Sequence, residues 1–113
     1  MYKKIWIAFV NIAPLPGFNF NELVSAEDIE LCENYIGAWA NILIKSDSIN
    51  EALKVIPRGL AELKFIVSFI DKIENLETLV DNNEIQKEVV EEADWLIGSS
   101  FVFKISDRLF PYC

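Results

Sequence analysis

Nine carboxylates crowd the stretch from residue 71 to residue 94: Asp71, Glu74, Glu77, Asp81, Glu84, Glu88, Glu91, Glu92 and Asp94, against two bases, Lys72 and Lys87. Seven of the chain's eight net negative charges therefore fall in this one stretch. Carboxylates at this density can do three kinds of chemistry. A pair such as Glu88 and Glu92 can divide the roles of acid and base, a group can hold a hard cation through its oxygens, or the whole field can attract a basic partner. The first two need a concave, partly desolvated site that separates two pKa values or fixes oxygen ligands, which a helix face turned to water does not offer. The third needs only exposure. Glu84, Glu88, Glu91, Glu92 and Asp94 are thus candidate partner-binding residues, with Trp95 beside them as an apolar anchor of the kind enriched in binding hot spots. A solvated face that merely keeps the protein soluble accounts for the same charge pattern.

Other chemistry is harder to assemble. The chain has no histidine, and its two cysteines, Cys32 and Cys113, lie far apart in sequence, so one copy cannot build a zinc site from the usual thiolate and imidazole ligands. Both cysteines are expected as unpaired thiols, with a single disulfide between them as the alternative. Gly37, Gly59 and Gly98 are isolated, and no P-loop, dinucleotide turn or nucleophile elbow occurs. Proton transfer near neutral pH would fall to Asp, Glu, Lys, Tyr or Cys. No catalytic residue, cofactor or metal is expected, and an enzyme is the weakest functional class.

Composition narrows the partners. At 113 residues and 52% hydrophobic content, the chain can bury one core, so residues 1–113 are read as a single domain. Ten basic residues against eighteen acidic ones argue against binding nucleic acid or an anionic membrane, both of which select clustered Lys and Arg. Lys3-Lys4 before an apolar run resembles the start of an export signal, but Asn11 breaks the run early and Pro14 follows Ala13. The segment reads as a strand of a cytoplasmic protein.

The elements that must position the acidic stretch are read from periodicity. Residues 36–45 are nearly continuously apolar, as in a covered strand. Ser48 and Glu51 have the spacing of a capping box, and Ile49, Ala52, Leu53, Ile56, Leu60 and Leu63 line one side of a helix over 48–63, kinked near Pro57 or stopping at Ile56. Residues 64–73 follow as a strand with Phe65, Val67, Phe69 and Ile73 on one face and Ile66, Ser68 and Ile70 on the other. Residues 2–12 read as an interior strand or one covered by the helices. Residues 25–32 are a short helix or an acidic loop, and residues 74–82 a short strand or a packed loop. Asn83 caps an acidic helix, with Gln86 at its third position, apolar stripe Ile85, Val89, Ala93 and Leu96, and Gly98 as its stop. Residues 101–105 are a last strand. Trp6, Trp39 and Trp95 are core residues by default. The class is α+β: a two-layer sandwich with helices on one side of the sheet. If residues 75–80 pair with the strand before them, the order from residue 36 is a ferredoxin-like βαββαβ core with an extra N-terminal strand.

The run Trp39-Ala40-Asn41-Ile42-Leu43-Ile44-Lys45-Ser46-Asp47-Ser48-Ile49-Asn50-Glu51-Ala52-Leu53 resembles the strand, turn and S-x-x-E-A helix start of small α+β bacterial immunity proteins from polymorphic-toxin and contact-dependent growth inhibition systems. The resemblance implies an acidic inhibitor that binds the basic active-site face of a cognate nuclease toxin. A module that homodimerises through a sheet edge is the alternative, and a small enzyme the third class. A basic toxin domain encoded next to the gene favours the first, concentration-dependent dimerisation the second, and a deep pocket of carboxylates with raised pKa values the third.

Overall fold

Residues 5–14 are apolar in both alternating sets, which suits a strand covered on two faces. In the computed structural model, which describes residues 2–18 and 36–112, they form strand β1 (Ile5–Pro14) at the interior of the sheet. It is flanked by β2 (Gly37–Lys45) and β3 (Phe65–Asn75), and β4 (Phe103–Tyr112) pairs with the far side of β2. The order is β3-β1-β2-β4, antiparallel throughout. The N-terminal strand, expected as an addition to the fold, is its centre. The readings of residues 25–32, Cys32 and Cys113 lie outside the described residues.

Helix α1 (Ile49–Glu62) joins β2 to β3, which run the same way on either side of β1. Ser48 caps it, its hydroxyl accepting the Glu51 N–H at 3.2 Å. Only half of the capping box forms: the Ser48 N–H donates to Ser46 Oγ, while the Glu51 carboxylate faces Lys54 at 3.7 Å. The helix passes Pro57 without stopping. Leu53, whose carbonyl loses its partner to the proline ring, lies on the exposed side with Pro57, where water can replace the lost donor. Ala52, Ile56 and Leu60 are fully buried against Ala8, Val10, Ile12, Ala40 and Ile42. The buried stripe is narrower than the sequence reading, since Ile49, Leu53 and Leu63 are each more than a third exposed.

Two further helices replace the expected short strand and displace the start of the acidic helix. Asn75 caps helix α2 (Leu76–Asp81), its side chain accepting the Glu77 N–H at 3.1 Å. Asn83, read as an N-cap, instead closes α2: its φ is +54°, its N–H donates to the Val80 carbonyl, and the Glu84 N–H donates to Leu79. This is the double bond pattern of a Schellman ending, with asparagine in the left-handed position. Helix α3 (Lys87–Gly98) therefore begins four residues later than Asn83. Its Val89, Ala93 and Leu96 pack with Leu76 and Leu79 on Ile5, Ile7 and Leu43, the opposite face from α1. The α+β class holds, with α1 and the sheet as its main two layers. Helices lie on both faces of the sheet, not one, and residues 76–81 contribute a helix where the ferredoxin-like order needs a strand.

In β3 the expected faces are exchanged partway along. Its register against β1 slips at Ser68 and again at Asp71, each slip inserting one residue and turning the chain by one side-chain step. Phe65, Val67, Ile70 and Ile73 consequently share the α1 face, and Phe69 is turned to the other, 57% exposed. We expect Phe65→Ala to cost about 3–5 kcal/mol and Phe69→Ala under about 1 kcal/mol in urea unfolding; equal losses would contradict this register. Gly59 has a separate role, because a Cβ there would stand 2.6 Å from the Phe103 ring. Gly59→Ala should destabilise by about 1–2 kcal/mol, overpacking outweighing the gain in helix propensity. A variant that unfolds later than the parent protein in the same titration would show that α1 has room to move.

Candidate acidic groove

Helix α3 is held at one end of the sheet by three contacts from outside its own chain segment. Lys45 at the end of β2 donates through Nζ to the Leu96 carbonyl at 3.1 Å and the Ser99 carbonyl at 2.9 Å, setting a cation where the helix dipole is negative. The Tyr2 hydroxyl donates to Asp94 Oδ1 at 2.7 Å, and this bond to a carboxylate holds the phenol above its ordinary pKa. With that end fixed, the remainder of α3 and the segment before it stand over β2 and β4. They leave an open groove of about 1130 Å³ against the sheet.

Four of the five carboxylates singled out from the sequence, Glu84, Glu88, Glu91 and Glu92, line this groove, as does Trp95. Asp94 does not; it points to Tyr2. Glu84 belongs to the connection before α3, not to the helix. The four acids are also not equivalent. Glu92 turns inward, where Oε2 accepts from Lys104 Nζ at 3.1 Å and Oε1 from the Ser106 hydroxyl at 3.0 Å. With side chains 13% and 18% exposed, Glu92 and Lys104 form the most buried ion pair among the described residues. Glu91 lies 4.0 Å from Lys87 on the surface, and no cation among the described residues lies within salt-bridge reach of Glu84 or Glu88. The groove is therefore net negative at its rim. Its walls are apolar, from Ile85, Val89, Trp95 and Phe110.

Trp95 is half exposed, stacked on Phe101 with centroids 5.8 Å apart, and Lys104 Nζ sits 5.8 Å from its ring centroid. It is a surface residue, as is consistent with an anchor and not with the core. Trp6 is partly buried on the α1 face and donates from Nε1 to the Ser46 carbonyl. Trp39 lies on the opposite face, stacked on Phe9. Lys104, Ser106, Phe110 and Asn41, which complete the groove, were not singled out from the sequence. Their one signal is the alternation of Lys104 and Ser106 with the apolar Phe103 and Ile105 in β4.

Chemically the groove holds a satisfied ion pair and a hydroxyl that is buried with it. Ser106 is 5% exposed and its proton is directed at Glu92. Among the described residues no three Asp, Glu or Cys side chains come together as a metal site, and no helix is long and apolar enough to cross a membrane. Comparison with protein-family models, curated proteins and solved structures finds no match for the chain.

The inward Glu92 generates a test. A double-mutant cycle between Glu92→Gln and Lys104→Met should give a coupling of about 1–3 kcal/mol, while Glu88→Gln should stay within about 0.5 kcal/mol of the parent protein. Coupling indistinguishable from zero in guanidinium titrations would make the pair a surface contact.

Proposed function

We infer that this protein is an immunity-type inhibitor that binds a basic toxin, of nuclease type, through the acidic groove and covers the toxin's substrate-binding face. The single observation that carries this reading is the gathering of Glu84, Glu88, Glu91 and Trp95 around one concave surface, with no cation among the described residues in salt-bridge reach of Glu84 or Glu88. A solubilising surface needs spread charge, whereas these acids share a groove with apolar walls, which is the composition of an interface with charged rim and apolar centre. Inhibition of this kind needs no catalytic group, cofactor or metal, and the inhibitor acts in the cytoplasm of the cell it protects. A nucleic-acid-binding toxin presents the complementary basic face.

Complementary charge should raise the association rate above the neutral range of about 10⁵–10⁶ M⁻¹s⁻¹ at low salt and make it fall as ionic strength rises. The variant Glu84→Lys, Glu88→Lys, Glu91→Lys leaves the buried Glu92 in place, so it should fold and yet fail to protect cells expressing the toxin domain encoded beside the gene. Full protection by the folded triple variant, with an unchanged salt dependence of binding, would remove the groove as the interface.

A further inference from the structure

Among the described residues, the helices α2 and α3 cover their face of the sheet at the end bearing Ile5, Ile7 and Leu43. At the other end it bears Phe9, Trp39, Phe69, Phe110 and Tyr112. The four rings of Phe9, Trp39, Phe69 and Phe110 are connected across the strands: Phe9 stacks on Trp39 at 5.0 Å between centroids, and meets Phe110 edge-on at 6.4 Å. Trp39 meets Phe69 edge-on at 6.4 Å. Phe69 is 57% and Phe110 43% exposed, and Tyr112 lies over Gly37, its hydroxyl donating to Asn11 Oδ1 at 2.9 Å. A Cβ at residue 37 would stand 2.7 Å from that hydroxyl oxygen, so glycine is what lets the ring lie down on the sheet. A contiguous exposed patch of rings is the kind of surface that marks an interaction site.

Charge decides what occupies them. Phe110 belongs both to this platform and to the acidic groove, so an occupant of the rings also meets Glu84 and Glu88. A nucleic acid, whose bases would stack on such rings, would bring phosphates against those carboxylates. A second copy of this chain would set acidic rim against acidic rim at a net charge of −8 on each molecule. A basic polypeptide satisfies both surfaces. Arginine suits it best, since its planar guanidinium stacks on aromatic faces and pairs with carboxylates, and Lys104 over Trp95 already shows a cation seated on a ring beside the groove.

We propose that the aromatic platform is the apolar centre of the interface and receives an arginine-bearing extended segment of the partner whose alternate side chains are apolar, with the acidic groove as its charged rim. The nature of the partner rests on the inhibitor reading above; the platform's preference for such a segment does not. The probes are two synthetic peptides of equal length and charge, one alternating arginine with leucine and the other arginine with serine. At about 0.15 M salt the full-length protein should bind the leucine peptide about tenfold or more tightly than the serine peptide, measured by calorimetry. Phe69→Thr with Phe110→Thr should erase that preference, weakening the leucine peptide by more than it weakens the serine peptide. Backbone amide shifts of the parent protein provide a readout that needs no variant: the leucine peptide should perturb residues 9, 39, 69 and 110. Equal affinities, a preference that survives in the folded double variant, or shifts confined to α3 would overturn the proposal. So would a dimer in sedimentation velocity that the double variant dissolves, since a second copy would then be the occupant. In the toxin co-expression assay, loss of protection by both the phenylalanine and the glutamate variants supports platform and inhibitor reading together. Loss by the glutamate variant alone sinks the platform and leaves the inhibitor, and protection by both variants sinks both.

Discussion

The pairing of β1 with β2 in the middle of the sheet is the constraint on which the rest of the molecule depends. Every residue of β1 from Ile5 to Ile12 faces a residue of β2, and both sets of alternating side chains are apolar for most of that length. Such a pair cannot leave either face in water, and each face needs its own cover. The chain meets the requirement unequally. One face receives α1, whose Ala52, Ile56 and Leu60 run along Ala8, Val10, Ile12, Ala40 and Ile42. The other receives two shorter helices at one end.

Length explains the inequality. A strand of 10 residues such as β1 spans about 33 Å, whereas α3, with 12 residues, spans about 18 Å. Lys45 and Tyr2 pin α3 at the Ile5 end, so the far end of that face is out of its reach. The residues there change accordingly. Ile5 and Ile7 give way along the same face to Phe9 and Asn11, and Leu43 to Asn41 and Trp39, which are types that tolerate partial exposure. The groove is the step at the edge of what α2 and α3 cover.

Much of this was legible in the sequence because local signals and tertiary packing agree there. Residues 36–45 and the helix start at Ser48 are where the periodicity and the cap put them, and Val89, Ala93 and Leu96 are buried as their spacing requires. The misreadings have specific causes. In β3 two bulges break the period of two, so alternation counted from Phe65 assigns Phe69 to the wrong face. Asparagine serves both helix starts and left-handed helix ends, and Asn83 does the second. Residues 76–81 are too short for a helical period to emerge, and only the side chain of Asn75 marks their start. Four groove acids and Trp95 were identified, since charge clustering needs no knowledge of the fold. Their partners on β4 were not, because Lys104 and Ser106 approach Glu92 only through tertiary contact.

That contact also changes the electrostatic meaning of the acidic stretch. Like charges four apart on a helix repel mildly, and Glu88 with Glu92 is such a pair. In the folded protein Lys104 and Ser106 take up Glu92, and Lys87 stands near Glu91, so the repulsion within α3 is largely offset from outside and beside the helix. Glu84 and Glu88, which have no cation within salt-bridge reach among the described residues, line the groove and are exposed. Burying Glu92 with Lys104 fixes α3 against β4, and Glu88 on that helix and Glu84 before it line the same groove as Phe110. The buried part of the charge cluster thus positions the exposed part.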